Sequence, residues 1–258
     1  MLTAIRLSDS TKVLARVSER PEAPFVCPLC RREVILRKGK IKVHHFAHKP
    51  PVVCSLGAGE TEAHHRAKLA VYDALQKEPH VTDVELEKNL GGSVADVYAR
   101  ISGVQVAVEI QRSSLTVNEI VSRTEKYHRL HIAVLWIGLA SPALVSRRYT
   151  PRAWEKWCHA AYFGRVYYWE DGQILRVAHF DPYYIHVESS TWYQDGQEQS
   201  AGGYDRISKR WRTPKLGISV LLAHSFNMNA RAAWSCGTVR VPACTLYVDR
   251  QPKWWRGS

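Results

Sequence analysis

Long apolar runs are the first thing this sequence lacks. No stretch reaches the roughly 18 apolar residues that cross a bilayer. The opening MLTAIRLSDSTKVLARV breaks every apolar run with charged or hydroxyl residues, unlike the core of a signal peptide. The expectation is a cytoplasmic chain with no membrane partner. Acidic charge is also short: 24 Asp and Glu stand against 36 Lys and Arg, a formal net charge of +12. That imbalance favours a polyanionic partner, nucleic acid ahead of an acidic membrane surface. Cysteine is thin too. Six in 258 residues, in a reducing compartment, read as metal ligands or reduced core thiols rather than as a disulfide framework. Internal repeats and low-complexity tracts are absent.

What is present is 45% hydrophobic residues over a length that can bury a sizeable core. Three regions follow from the changes in texture. Residues 1–57 carry short strand patterns, LTAIRL and KVLARV, then the knuckle CPLC, and then a hairpin pattern, EVILRKGKIKVHHF, with KGK as its turn. Residues 58–140 read as one α/β unit. Its elements are a helix in ETEAHHRAKLAVYDALQK, strands near 81–88, 94–101 and 104–111, a helix in TVNEIVSRTEKYHRL, and the strand IAVLWIG. Thr116 three residues before Glu119 marks a capping box at the second helix. Residues 141–258 form an α+β region holding eight of the nine tryptophans, with a helix near RAWEKWCHAAYF and a hairpin turning at EDGQ. The stretch QDGQEQSAGG reads as a loop or linker.

Two clusters carry chemistry. Cys27 and Cys30, two residues apart, form a turn that lets two thiolates reach one tetrahedral metal, and His45, His48 and Cys54 offer the other side. Zinc takes four ligands, for which Cys27, Cys30, His48 and Cys54 are favoured, with His45 the substitute for His48. The element resembles a zinc ribbon, and four protein ligands make its site structural. The second cluster begins in VQVAVEIQ. Strand alternation puts Val104, Val106, Val108 and Ile110 on one face and Ala107, Glu109 and Gln111 on the other. A carboxylate and an amide at the end of an apolar strand need partners. If VADVYARI pairs with this strand through SGV, Asp96 and Glu109 share a sheet face, where a divalent cation relieves their repulsion. Glu60, His64 and Lys68 are spaced as one polar stripe on the first helix. Glu62 is the alternative to Glu60 as its carboxylate. A structural pairing of the same carboxylates with Arg or Lys is the competing reading.

Taken in order, CPLC, HFAHKPPVVC, ETEAHHRAK, ADVY, VEIQRSSL, SRTEKY and VLWIG resemble the competence protein CoiA-like family from about residue 25 to 138. The resemblance implies a restriction-endonuclease-like core, a mixed sheet flanked by helices, behind the zinc-ribbon-like β element. It implies that Asp96 and Glu109 bind Mg²⁺ or Mn²⁺ and that Gln111 takes the place usually held by a lysine. Gln111 orients water but carries no proton, and Lys68 supplies the missing cation. Glu60, His64 and Lys68 match the family's helix motif. Arg123 and Tyr127 match its second-helix motif and face the site as DNA-binding residues; the alternative is a helix-surface pair tied to Glu119. Members are associated with natural transformation, where single-stranded DNA is processed or recombined.

The resulting expectation is a Mg- or Mn-dependent DNA nuclease of the PD-(D/E)xK type, with structural zinc and recombination proteins as further partners. Its rivals are a non-catalytic nucleic-acid-binding adaptor, the same nuclease serving phage defence or a mobile element, and a zinc-dependent protein-interaction module. Aromatics interleaved with Arg in KRWRTPK, RVYYWEDG and PKWWRGS suit unpaired bases, although most of these tryptophans read as core. Trp254 and Trp255 are the pair expected to be exposed. Cys158, Cys236 and Cys244 are expected to be buried thiols, and His224 beside them does not argue a second metal.

Overall fold

A computed structural model describes residues 1–51, 54, 56–57, 59–111 and 115–251. Trp254 and Trp255, and residues 112–114 of VEIQRSSL, lie outside the described residues. Five short strands, β1 (Thr3–Arg6), β2 (Lys12–Leu14), β3 (Phe25–Val26), β4 (Glu33–Arg37) and β5 (His45–His48), make an N-terminal sheet in the order β2-β1-β3-β4-β5. Alternation decides its faces. Val34, Leu36 and Phe46 point into a small core with Phe25, Cys27 and Met1. The hairpin expected at KGK is wider than its sequence pattern: Arg37 pairs with His45, so the connection runs from 38 to 44. Lysines alternating with Gly39 and Ile41 mimic a strand, yet they have no apolar face to bury.

Helix α1 (Glu62–Leu75) follows, with Thr61 as its N-cap accepting from the His64 backbone N–H. Its inward stripe is His65, Lys68, Val71, Tyr72 and Leu75, a helical period that places a lysine among core residues. The chain then runs through β6 (Val81–Asn89), β7 (Val94–Ile101) and β8 (Val104–Gln111) as an antiparallel meander. The β7–β8 turn is only Ser102 and Gly103, both at positive φ, the geometry that twists with the strands it joins. Helix α2 (Val117–Arg129) starts on the expected Thr116–Glu119 capping box and buries Ile120, Thr124 and Tyr127. It returns the chain to β9 (Ala133–Leu139), parallel to β8. Both faces of β9 are covered, so its run of apolar residues reads continuously rather than alternating.

Beyond residue 140 the chain mostly extends this sheet. Helix α3 (Ala153–Ala161) packs Trp154 and Trp157 inward. Strand β10 (Val166–Asp171) lies parallel to β9, then β11 (Ile174–Val187) turns back at Gly172 and Gln173, as EDGQ suggested. Two small strands, β12 (Ser190–Gln194) and β13 (Gln197–Ala201), pair with each other before β14 (Tyr204–Leu221) returns along β11. QDGQEQSAGG is therefore largely hairpin and not linker: Asp195 and Gly196 make the tight turn. A helical turn α4 (Leu222–Ser225), β15 (Phe226–Arg231), the pair β16 (Trp234–Cys236) and β17 (Val239–Val241), and β18 (Cys244–Asp249) complete the described chain. The nine-stranded sheet runs β14-β11-β10-β9-β8-β7-β6, with β18 joining β9 and β15 pairing with β18. This is an α/β fold on a large mixed sheet, and one core cluster extends from α1 to β18. Cys158 and Cys244 are buried as expected, whereas Cys236 is exposed on a short edge pair. Trp192 and Trp234 are exposed as well. Among the described residues no helix is long and apolar enough to cross a membrane.

Candidate functional site

The N-terminal sheet and the knuckle bring Cys27, Cys30, His48 and Cys54 together, with one ligand atom of each within 4.8 Å of every other. Cys27 Sγ lies 3.9 Å from Cys54 Sγ, and Cys30 Sγ lies 3.3 Å from His48 Nε2. Tetrahedral Zn–S bonds of about 2.3 Å imply sulfur pairs about 3.8 Å apart, so the group has the size of a zinc site. The set could bind zinc. His45 is not part of it; its ring stacks on His65 at 5.3 Å.

The second cluster is set by strand register. Leu86 pairs with Val97 and Lys88 with Ala95, so Glu87 stands opposite Asp96. Val97 pairs with Val108, and one residue further Asp96 stands opposite Glu109. Three carboxylates thus form a row across β6, β7 and β8. Sequence reasoning missed Glu87, which is fully buried and accepts the Leu2 and Thr3 backbone N–H groups and the Thr3 hydroxyl. Its signal was a glutamate in VELEKN at a position where the strand turns inward.

Lys68 reaches this row from α1. It is 1% exposed, and its Nζ lies 2.9 Å from Asp96 Oδ1 and 3.2 Å from Glu87 Oε1, with Glu60 also in contact. Burial alone would lower its pKa, but Asp96, Glu87 and Glu60 together hold it well above the usual lysine value. Glu60 is not on the helical stripe, because the helix begins at Glu62 after the Thr61 cap. Its carboxylate still folds back to Lys68, accepts from His65 Nε2 at 3.0 Å and meets the amino group of Met1 at 2.7 Å. Burial would raise Glu60; Lys68 and the hydrogen bond from His65 outweigh it and keep the group ionised. Glu62 turns away, to the Val43 N–H and Arg66.

Asp96 Oδ2 accepts the Ile110 N–H at 2.9 Å and lies 3.2 Å from His64 Nε2. Burial pushes its pKa up, while Lys68 and His64 pull it below the usual aspartate range. One oxygen or nitrogen each from Glu60, His64 and Asp96 falls within 4.8 Å. Glu109 is held separately. Oε1 accepts from Arg123 Nη2 at 2.5 Å and from the Tyr127 hydroxyl. Arg123 and Tyr127 therefore face the site, and Glu119 is occupied by its own capping box. Glu109 Oε2 is buried and, among the described residues, has no hydrogen-bond partner. Burial raises the Glu109 carboxyl to about 7; Arg123 opposes this and Asp96 adds to it. Gln111 follows on the same face of β8, buried, opposite Gly138.

This arrangement has one carboxylate neutralised by a lysine beside another whose buried oxygen is unused among the described residues. Oxygen donors of this kind suit a hard divalent cation. His224 sits away from the C-terminal cysteines, with Nε2 2.8 Å from Glu78 and its ring 4.8 Å from that of His80.

Comparison with known proteins gives two successive matches along the chain. Residues 9–57 match the family described as competence protein CoiA, N-terminal domain, and residues 60–154 match competence protein CoiA, nuclease-like domain. "Competence protein CoiA" of Bacillus subtilis (strain 168) is 27% identical over 180 residues, covering 65% of this chain. The match spans 46% of that relative's length. No solved structure matches. With two successive domain matches covering more than half of its length, this chain belongs to the competence protein CoiA-like family.

Proposed function

We propose that this chain is a metal-dependent DNA nuclease of the restriction-endonuclease-like, PD-(D/E)xK type. The observation that carries the reading is Glu109 Oε2, a buried carboxylate oxygen with no partner among the described residues, on a strand position opposite Asp96. Leaving such an oxygen unsatisfied costs about 1–3 kcal/mol, and a cation removes that cost. Asp96 and Glu109 are the residues that would hold Mg²⁺ or Mn²⁺, with Glu60 and His64 adjoining. Bound there, such an ion would supply a water of lowered pKa as a hydroxide source and would offset charge on a scissile phosphate.

The chain's own groups fit the remaining roles. Lys68 keeps Asp96 ionised and brings a fixed positive charge to within 2.9 Å of it. Arg123 and Tyr127 fix the orientation of Glu109. Gln111 orients water through its amide and neither gives nor takes a proton. Zinc at Cys27, Cys30, His48 and Cys54 is structural and leaves no position open for chemistry. The name of the Bacillus subtilis relative supports a role in processing incoming DNA during transformation, with phage defence as another use of the same nuclease.

One observation favours the adaptor reading instead. Asp96 is already satisfied by Lys68, His64 and the Ile110 N–H. End-labelled single- and double-stranded DNA with Mg²⁺, Mn²⁺ or EDTA separates the two. The nuclease reading expects metal-dependent cleavage that Asp96→Ala and Glu109→Ala both abolish while remaining folded. DNA binding without cleavage under every metal gives the adaptor.

A further inference from the structure

The N-terminal sheet has a second face that the zinc cluster does not use. Val34, Leu36 and Phe46 fill the small core, so Ile35 and its cross-strand partner Ala47 point the other way. Arg37 and His45 flank them at one end, Glu33 and Lys49 at the other. The 38–44 loop arches beside this face, and together they line a cavity of about 1050 Å³. Its wall holds Arg20, Arg37, Lys38, Lys40, Lys42 and Lys49 against one carboxylate, Glu33. Lys38 is paired with Glu19 and Lys49 with Glu33. Among the described residues, Arg37, Lys40 and Lys42 lie within ion-pair distance of no carboxylate. Ile41 stands between those two lysines, 88% exposed.

We infer that this groove is a binding site for an unpaired nucleic-acid strand, with bases against the Ile35–Ala47 floor and Ile41, and phosphates on Arg37, Lys40 and Lys42. An apolar floor under a cationic rim suits a strand whose bases are free to turn inward; in a duplex the bases are stacked away from it. The groove also leads to the carboxylate row. The Val43 N–H donates to Glu62 at the start of α1. His45 stacks on His65, and His65 bonds to Glu60. A strand seated here is thus tied to the carboxylate row through packed side chains. The inference takes its ligand class from the nuclease reading, though the site itself does not depend on cleavage.

The experiment uses the full chain in EDTA with a fluorescent oligothymidylate of about 15 nucleotides, read by anisotropy across a salt series. A duplex of equal length serves as the competitor. The variants are Lys40→Gln/Lys42→Gln and Ile41→Ser, all at exposed positions. Losing two phosphate contacts is expected to weaken binding about tenfold and flatten the log–log salt slope by about 1.4. Ile41→Ser is expected to weaken binding with the slope unchanged. Wild-type affinity and slope in the double variant overturn the inference, as does a wild-type chain that binds no strand or prefers duplex. A cleavage assay with Mg²⁺ and Mn²⁺ runs alongside. Binding that depends on the lysines without cleavage sinks the nuclease reading and leaves the groove; cleavage with lysine-independent binding does the reverse.

Discussion

Replacing Glu109 by Gln should make the metal-free protein more stable above neutral pH, although Glu109 accepts hydrogen bonds from Arg123 and Tyr127. Burial lifts the carboxyl from its ordinary value of 4.5 to about 7. At pH below 4.5 it is protonated in both the folded and unfolded chain and contributes no difference. Between pH 4.5 and 7 the unfolded chain gives up its proton first, so unfolding releases protons and stability falls as pH rises. Above 7 the penalty is complete, and a lift of this size corresponds to roughly 3 kcal/mol. A Gln side chain keeps an oxygen for Arg123 and Tyr127 without the charge. Urea denaturation in EDTA, followed by tryptophan fluorescence from about pH 5 to pH 8, measures both proteins. The difference between variant and wild type cancels groups such as Glu60 and Asp96, whose shifts run the opposite way. It is expected to start at about 1 kcal/mol or less and grow to roughly 3 kcal/mol in favour of Gln. Added Mg²⁺ or Mn²⁺ should then recover wild-type stability near pH 8 and leave the variant unmoved. A Gln variant that is less stable near pH 8, or offset equally at every pH, refutes the reasoning. The Arg123 pair would then outweigh burial.

Lys68→Met should cost about 3–5 kcal/mol, because it removes the buried positive charge shared by Glu60, Glu87 and Asp96; a loss of unfolding free energy under about 1 kcal/mol by urea denaturation near pH 8 would contradict the ion-pair account. Gly138→Ala puts a Cβ 2.5 Å from Trp154 Cη2 and 3.0 Å from Tyr168 Cδ1, both rigid rings. A loss of about 1–3 kcal/mol by thermal or urea unfolding is expected, and a neutral substitution would mean that α3 shifts freely against β9. Zinc should co-purify with the chain and disappear in Cys30→Ser, with loss of hydrogen-exchange protection confined to β1–β5. Elemental analysis and exchange mass spectrometry check this, and a zinc-free wild type with a protected sheet would make the four residues a reduced thiol cluster.

Much of the middle of the chain was readable because its signals are local. The Thr116–Glu119 box, the 104–111 alternation and the Ser102–Gly103 turn each sit within a few residues, and each forms as the pattern requires. The pairing of Asp96 with Glu109 followed from that turn. Lys68 was picked out by spacing as part of a polar stripe, while its neighbours Val71, Tyr72 and Leu75 already marked it as buried. Glu87 was hidden because its partners, Leu2 and Thr3, are more than 80 residues away. Local period also misled at 38–44, where alternating lysines imitate a strand, and at 194–203, where polar residues hide a hairpin. Nor does any local pattern show that the tryptophan-rich half adds strands to a sheet begun before it.

That shared sheet limits how the protein can be dissected. On the side away from β8, β9 is covered by β10 and, at Val134, by β18, the last strand described. A fragment ending near residue 140 would keep every carboxylate of the row and leave Ala133–Leu139 as an open apolar edge, the kind of surface on which chains stack into aggregates. It would also lose the Tyr162 hydroxyl that accepts from the Trp136 N–H and donates to Val134 O. The carboxylate row belongs to the first half of the chain, but the sheet edge beside it is closed only by strands of the second.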